Sequence, residues 1–211
     1  MRTVAGLFDD YGEARGAVSD LEAAGFPSEN ISIVANNAGG RYSGDGSAAA
    51  SGAGAGAGLG AVGGGTLGLL TGLGLMAIPG VGPVVAAGWL ASTAAGAAAG
   101  ALAGGAAAGI IGSLTDSGIE EEDAHLYAEG VRRGGTLVVV RTEEHLVAQA
   151  DGILRNRDAV DISVRRRAYT EDGWTRFDTA SSPYSLDEIE RETRTPQPPG
   201  AVAQVPLPRH G

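Results

Sequence analysis

The chain has no cysteine, and all 15 of its Lys/Arg positions are arginine. Without thiols there are no disulfides, no thiolate-ligated zinc, no iron–sulfur cluster and no cysteine nucleophile. Without lysine there is no phosphate-loop lysine and no Schiff-base chemistry. Aromatic residues make up only 5% of the sequence, so a second bulky core of domain size is not expected beside a first. Positive charge is also scarce: the net charge is −10, which disfavours nucleic acid or an anionic lipid surface as a partner of the whole molecule. Finally, no charged side chain occurs from position 46 to position 115. The N terminus reaches Asp9 and Asp10 before an apolar run long enough for a signal peptide forms, so the N-terminal part is expected to stay on the side where it is made.

What is present reads as alternating short elements. Residues 3–8 form a strand pattern, and Asp10 with Glu13 three positions on is a capping-box-like helix start. Tyr11, Ala14, Val18, Leu21 and Ala24 share one helical face; Gly25 and Pro27 stop that helix, and residues 31–35 are a second strand. After the uncharged region, Ala124, Tyr127, Ala128 and Val131 mark a helix and residues 136–141 a central strand. Leu146, Val147, Ala150, Ile153 and Leu154 mark another helix, and Val160, Ile162 and Val164 alternate as a half-buried strand ending at Arg165, Arg166 and Arg167.

The order β-α-β, insertion, α-β-α-β gives the expected fold class: α+β, a ferredoxin-like α/β sandwich with an inserted Gly/Ala-rich helical hairpin. The expected organisation is a discontinuous α/β domain over 1–36 and 119–168, a linker over 37–51 and the hairpin over 52–114. A C-terminal aromatic segment with a short helix then occupies 169–194, and a Pro-rich disordered tail 195–211. Helices are expected on one sheet face only, leaving the other for the segment around Trp174 and Phe177 or for a partner.

The hairpin expectation rests on periodic glycine. Gly52, Gly56, Gly60, Gly64, Gly68 and Gly72 recur every four residues, and Gly88, Gly96, Gly100, Gly104 and Gly112 continue the spacing with Ser92 and Ala108. On helices such stripes let two backbones touch, and these glycines are the expected helix-packing residues, with a turn over residues 78–83. Glycine in a solvated helix costs up to about 1 kcal/mol relative to Ala, so a lipid or protein environment has to offset the series. The leucines at 59, 67, 69, 70, 73 and 75 supply only about −2 to −4 kcal/mol of insertion energy, so a paired hairpin is favoured over independent spans. The expected partners are therefore membrane lipid or a second copy of the chain in a homo-oligomer, with no nucleic acid. The expected location is a bacterial inner membrane with the α/β domain cytoplasmic, the alternative being a cytoplasmic protein.

No catalytic, cofactor or metal site is expected. The string Gly58-Leu59-Gly60-Ala61-Val62-Gly63 matches a dinucleotide fingerprint but lacks the preceding strand and the later acidic residue. Glu121, Glu122 and Glu129 stand at ligand-like spacing from His125, with His145 further on, but a solvated acidic face explains them better than a metal. Arg165, Arg166 and Arg167 read as charges guarding an edge strand, and Trp174 and Phe177 as rings buried on the open sheet face. The Phe8-Asp9-Asp10-Tyr11-Gly12 turn at a helix start is the place where a ligand-sensing module would bind.

Several of these segments together, Val4-Ala5-Gly6-Leu7-Phe8-Asp9, Ala23-Ala24-Gly25-Phe26-Pro27, Ile31-Ser32-Ile33-Val34-Ala35, Glu121-Glu122-Asp123-Ala124-His125 and Gly173-Trp174 with Phe177, Pro183 and Tyr184, resemble the bacterial general stress protein family. The resemblance implies a non-enzymatic, stress-associated protein with no catalytic set or cofactor to carry over. The leading expectation is membrane association or oligomerisation through the hairpin, and the alternative is a soluble ligand-sensing or regulatory module whose hairpin is buried in an oligomer.

Overall fold

The computed structural model describes residues 1–42, 74–78, 80–92 and 108–194. Among the described residues five strands form one antiparallel sheet: β1 (Arg2–Phe8), β2 (Ile31–Asn36), β3 (Gly74–Ile78), β4 (Gly82–Gly88) and β5 (Thr136–Thr142), in the order β1-β5-β2-β4-β3. The split β-α-β unit at its centre has β5 running antiparallel between β1 and β2, with Val138 opposite both Gly6 and Ile33. The strands β2 and β5 are covered on both sides, which is why ISIVAN and TLVVV read as near-continuous apolar runs with little alternation.

The helices bounded within the described residues are α1 (Tyr11–Ala23), α2 (Ala108–Asp116), α3 (Glu121–Arg132), α4 (Val147–Asn156), α5 (Ile162–Glu171) and α6 (Leu186–Arg194). As the capping pattern requires, the Asp10 carboxylate accepts from the Glu13 amide at 3.0 Å and starts α1. Helices lie on both sheet faces, where the sequence led to an expectation of one. Val18 and Leu21 of α1 and Leu154 of α4 pack on Val4, Phe8, Ile31, Ile33, Val138 and Val140. On the opposite face Leu114 of α2 and Tyr127 and Val131 of α3 pack on Leu7, Val34, Val84, Leu137 and Val139. The period-2 alternation of β1 and β5 distributes consecutive residues to these two cores.

Two further expectations are corrected. Residues 74–78 and 82–88, inside the expected helical hairpin, are strands that extend the sheet: β4 pairs with β2, and β3 with β4. Their turn falls within the expected 78–83, closed by the Val81 amide donating to the Ile78 carbonyl at 3.0 Å. β-branched Val84 and Val85 favour the extended chain here, and Val81 and Val84 reach the core. Gly88 accordingly belongs to β4 and to no helix; at φ +89° a Cβ there would strike the Ile31 carbonyl, so close strand approach explains this glycine. Gly112 does lie on a helix, α2, where an added Cβ meets nothing within 4 Å. Gly52, Gly56, Gly60, Gly64, Gly68, Gly72, Gly96, Gly100 and Gly104 lie outside the described residues, as do the 58–63 glycine string and the tail from 195. Among the described residues no helix is long and apolar enough to cross a membrane.

The expected strand over 160–164 does not form: Val160 precedes the Asp161 N-cap, and Ile162 to Val164 begin helix α5. The Asp161 carboxylate accepts from the Ser163 and Val164 amides at 2.9 and 3.2 Å, and this N-cap overrides three alternating apolar residues. Arg165, Arg166 and Arg167 are therefore helical and guard no strand edge.

Candidate functional site

Helix α3 carries two polar clusters on one side of the molecule. Its C-terminal cluster is closed. Glu129 is fully buried and accepts from Arg132 Nη1 at 3.1 Å and from Arg133 Nε at 2.8 Å. Arg133 also donates to Glu192 of α6 at 2.7 Å and lies over the Tyr169 ring, 4.0 Å from its centroid. Burial alone would lower the Arg133 guanidinium, but the hydrogen bonds to Glu129 and Glu192 raise it further above its ordinary value. Gly134, at φ +106°, ends this region; a Cβ there would run into Ile189 of α6, so the C-terminal helix docks against bare backbone. This corrects the solvated-face expectation for Glu129, whose side chain is buried and bonded to its i+3 and i+4 partners.

The N-terminal cluster is open. Glu121, Glu122 and Asp123 fill the first turn of α3, where acidic groups complement the helix dipole. Glu122 and Asp123 are taken by Arg166 of α5, while Glu121 and His125 face Arg176. The segment after α5 brings Arg176 there because Phe177, 4% exposed, is anchored in the α2–α3 core beside Ile78 and Val81. Burying such a ring contributes about 1.5–3 kcal/mol, enough to hold a segment without regular structure. Next to it the Asp178 carboxylate accepts from the Ala180 amide and the Ser181 hydroxyl, at 2.9 and 3.0 Å, and so shapes the turn.

The resulting cleft has a volume of about 320 Å³ and is lined by Ile111, Glu121, His125 and the segment from Arg176 to Thr179, Asp178 included. Arg176 Nε donates to His125 Nε2 at 3.0 Å, and Arg176 Nη2 to Glu121 Oε1 at 2.9 Å. Two of the five guanidinium N–H groups are thereby used. Because His125 Nε2 accepts, the neutral ring carries its proton on Nδ1, and Nδ1 is buried with no hydrogen-bond partner. Burial first, and the Arg176 charge second, lower the His125 pKa, with Glu121 pulling the other way.

The other expected residues fall elsewhere. His145 pairs with Glu143 at 3.3 Å on an exposed turn, and no group of three metal-ligating side chains forms among the described residues. Asp9 and Asp10 of the helix-start turn are taken up by the fold, Asp9 accepting from the buried Arg165 at 2.6 Å and Asp10 capping α1. Trp174 packs edge-on against Tyr169. Arg176 and Thr179 had no legible signal beyond their position next to Trp174 and Phe177.

The fold is thus a two-faced antiparallel α+β sheet domain with an open polar cleft on one helix. Residues 3–78 match the family model of the heat induced stress protein YflT domain, so this part of the chain is similar to that family. The match takes in β1, α1, β2 and β3 and ends before β4, α3 and β5. No curated protein and no solved structure matches.

Proposed function

We propose that this is a non-enzymatic, stress-associated regulatory module that senses a small zwitterionic metabolite in the cleft between α2, α3 and the Arg176–Thr179 segment. The observation that carries the reading is the exchangeable Arg176–Glu121 pair beside the buried, unsatisfied Nδ1 of His125. Side chains of Arg176 and Glu121 are 67% and 65% exposed, and ion pairs so open are worth about 0–1 kcal/mol, so a ligand separates them at little cost. Arg176 then offers its fork to a carboxylate, Glu121 accepts an ammonium group, and Ile111 with Phe177 supplies an apolar wall. A zwitterion also avoids the repulsion that a chain of net charge −10 exerts on a free anion.

Differential scanning fluorimetry of the full chain tests this. The probes are apolar amino acids, the matched carboxylic acids lacking the amine, and the matched amines lacking the carboxylate. The amino acids are expected to raise Tm, by the equivalent of about 2.7 kcal/mol at a hundred times Kd. Arg176→Gln should abolish the rise. A wild-type chain indifferent to all three sets, or a rise that survives Arg176→Gln, contradicts the proposal.

A further inference from the structure

Arg176 joins its segment to α3 through hydrogen bonds to His125 and Glu121, and the first of these exists only while His125 is neutral. Behind Arg176 the chain is fixed independently. Phe177 is buried, and Thr179 crosses the β3–β4 turn at Gly80, where a Cβ would stand 2.9 Å from the Thr179 Cα. Further on, Ser182 O accepts from Arg132 Nη2 at 3.4 Å, and Arg132 lies over the Tyr184 ring, 4.7 Å from its centroid. Arg176 Nε donates to His125 Nε2 at 3.0 Å, and that nitrogen cannot accept in the imidazolium, whose ring nitrogens are both donors. Glu121 Oε1 stands 3.6 Å from the same Nε2 and 2.9 Å from Arg176 Nη2, so it is placed to serve either cation.

We infer that His125 is a proton-operated latch on the cleft: when its ring takes up a proton, Arg176 lets go, Glu121 passes to His125, and the cleft is left with an uncommitted guanidinium. Protonation sets two N–H groups and two positive charges against each other, and Glu121 can neutralise only one of them. Arg176 is mostly exposed and is hydrated once released, whereas the buried ring is not, so the carboxylate goes to the ring. The other charges around the ring are committed. On α3, Glu122 and Asp123 are bonded to Arg166 of α5, and Glu129, one turn on, to Arg132 and Arg133. Asp178 of the segment accepts from Ala180 and Ser181. α2 contributes Ile111 to the cleft, its single charged residue being Asp116 in its last position, and the β3–β4 turn carries no charge. Burial and the Arg176 charge hold the ring pKa below its ordinary 6.5, so the latch is closed at pH 7 and opens in acid. Such a latch regulates the cleft and rests on the ligand reading for its use, but it operates with no ligand present.

NMR of the full chain without ligand, between pH 7.5 and 5, tests this. The His125 ring shifts report its protonation, and solvent exchange of the Arg176 Nε–H reports the bond. As the ring takes up its proton, that exchange is expected to become at least about tenfold faster than in His125→Gln at the same pH, where the residue cannot titrate. Arg176→Gln removes the neighbouring positive charge and should in turn raise the His125 midpoint. Amide exchange in β1 and β5 reports whether each variant is folded. A ring that stays neutral down to pH 5 overturns the proposal. So does an Arg176 N–H unaffected while the ring titrates, and so does a His125 midpoint unchanged by Arg176→Gln. Because no ligand is present, each of these outcomes leaves the metabolite reading to its own test.

Discussion

The two ends of helix α3 carry the same kinds of side chain and do different things with them. At the C-terminal end Glu129, Arg132 and Arg133 are sealed beneath Tyr169, Tyr184 and α6, with the carboxylate bonded by both guanidinium groups. At the N-terminal end Glu121, His125 and Arg176 meet at the surface, with donors left over and one buried ring nitrogen unsatisfied. The difference lies in what packs on top. A helix docked on Gly134 excludes water from the first cluster, whereas the loop that carries Arg176 and Phe177 leaves the second accessible. Burial turns one set of charges into a fixed joint, and exposure leaves the other free to exchange partners.

The sharpest way to break this contrast is to remove the carboxylate at each end in turn. Glu129→Ala strands two arginines in a buried site and is expected to cost about 3–5 kcal/mol, read as a lower urea midpoint. If it costs no more than a surface change, the closed joint is not closed. Removing the Arg165 guanidinium that holds Asp9 is next in size: Arg165→Leu should cost roughly 1.5–3 kcal/mol, the range for a hydrogen bond to a charged group.

Acidification distinguishes the ends through His125. Its folded pKa lies below the unfolded value of 6.5, so the unfolded chain binds the extra proton first as pH falls. Stability from this residue is fully present above that value and declines as pH drops through the folded pKa. Urea midpoints between pH 7.5 and 5 should therefore fall more for the wild type than for His125→Gln; parallel curves would contradict the neutral, buried ring. The smallest effect is expected from Glu121→Gln, within about 1 kcal/mol, since its pair with Arg176 is mostly solvated.

How much of this was legible beforehand depended on what each segment's pattern could distinguish. The strands β1, β2 and β5 and the helices α1, α3 and α4 follow from apolar spacing and caps; Phe177 is buried as its aromatic character suggested, but beside Gly80 in the β3–β4 turn, and Trp174 lies on Tyr169, both sheet faces being covered by helices. Periodicity misled at Val160, Ile162 and Val164, because a single Asp161 cap decides helix over strand and three residues cannot outvote it. It misled again at β3 and β4, where the glycine stripes on either side, ending in Gly72 and beginning at Gly88, carried a helix reading into residues that Val84 and Val85 fit as a pleated strand. The closed cluster was invisible for a different reason. Glu129 with Arg132 and Arg133 has the i, i+3 and i+4 spacing of any solvated helix face, and only the docking of α6, distant in sequence, buries it. The cleft depends in the same way on a long-range contact, Arg176 with His125, that no local pattern encodes.

The central claim concerns which end of α3 meets a ligand, and an amide and histidine side-chain NMR titration of the full chain with an apolar amino acid addresses it most directly. The account predicts saturable shifts concentrated at His125, Arg176, Phe177 and Thr179, with Glu129 and Arg133 unmoved. Shifts absent from His125 and Arg176, or centred on the Glu129 cluster, would contradict it.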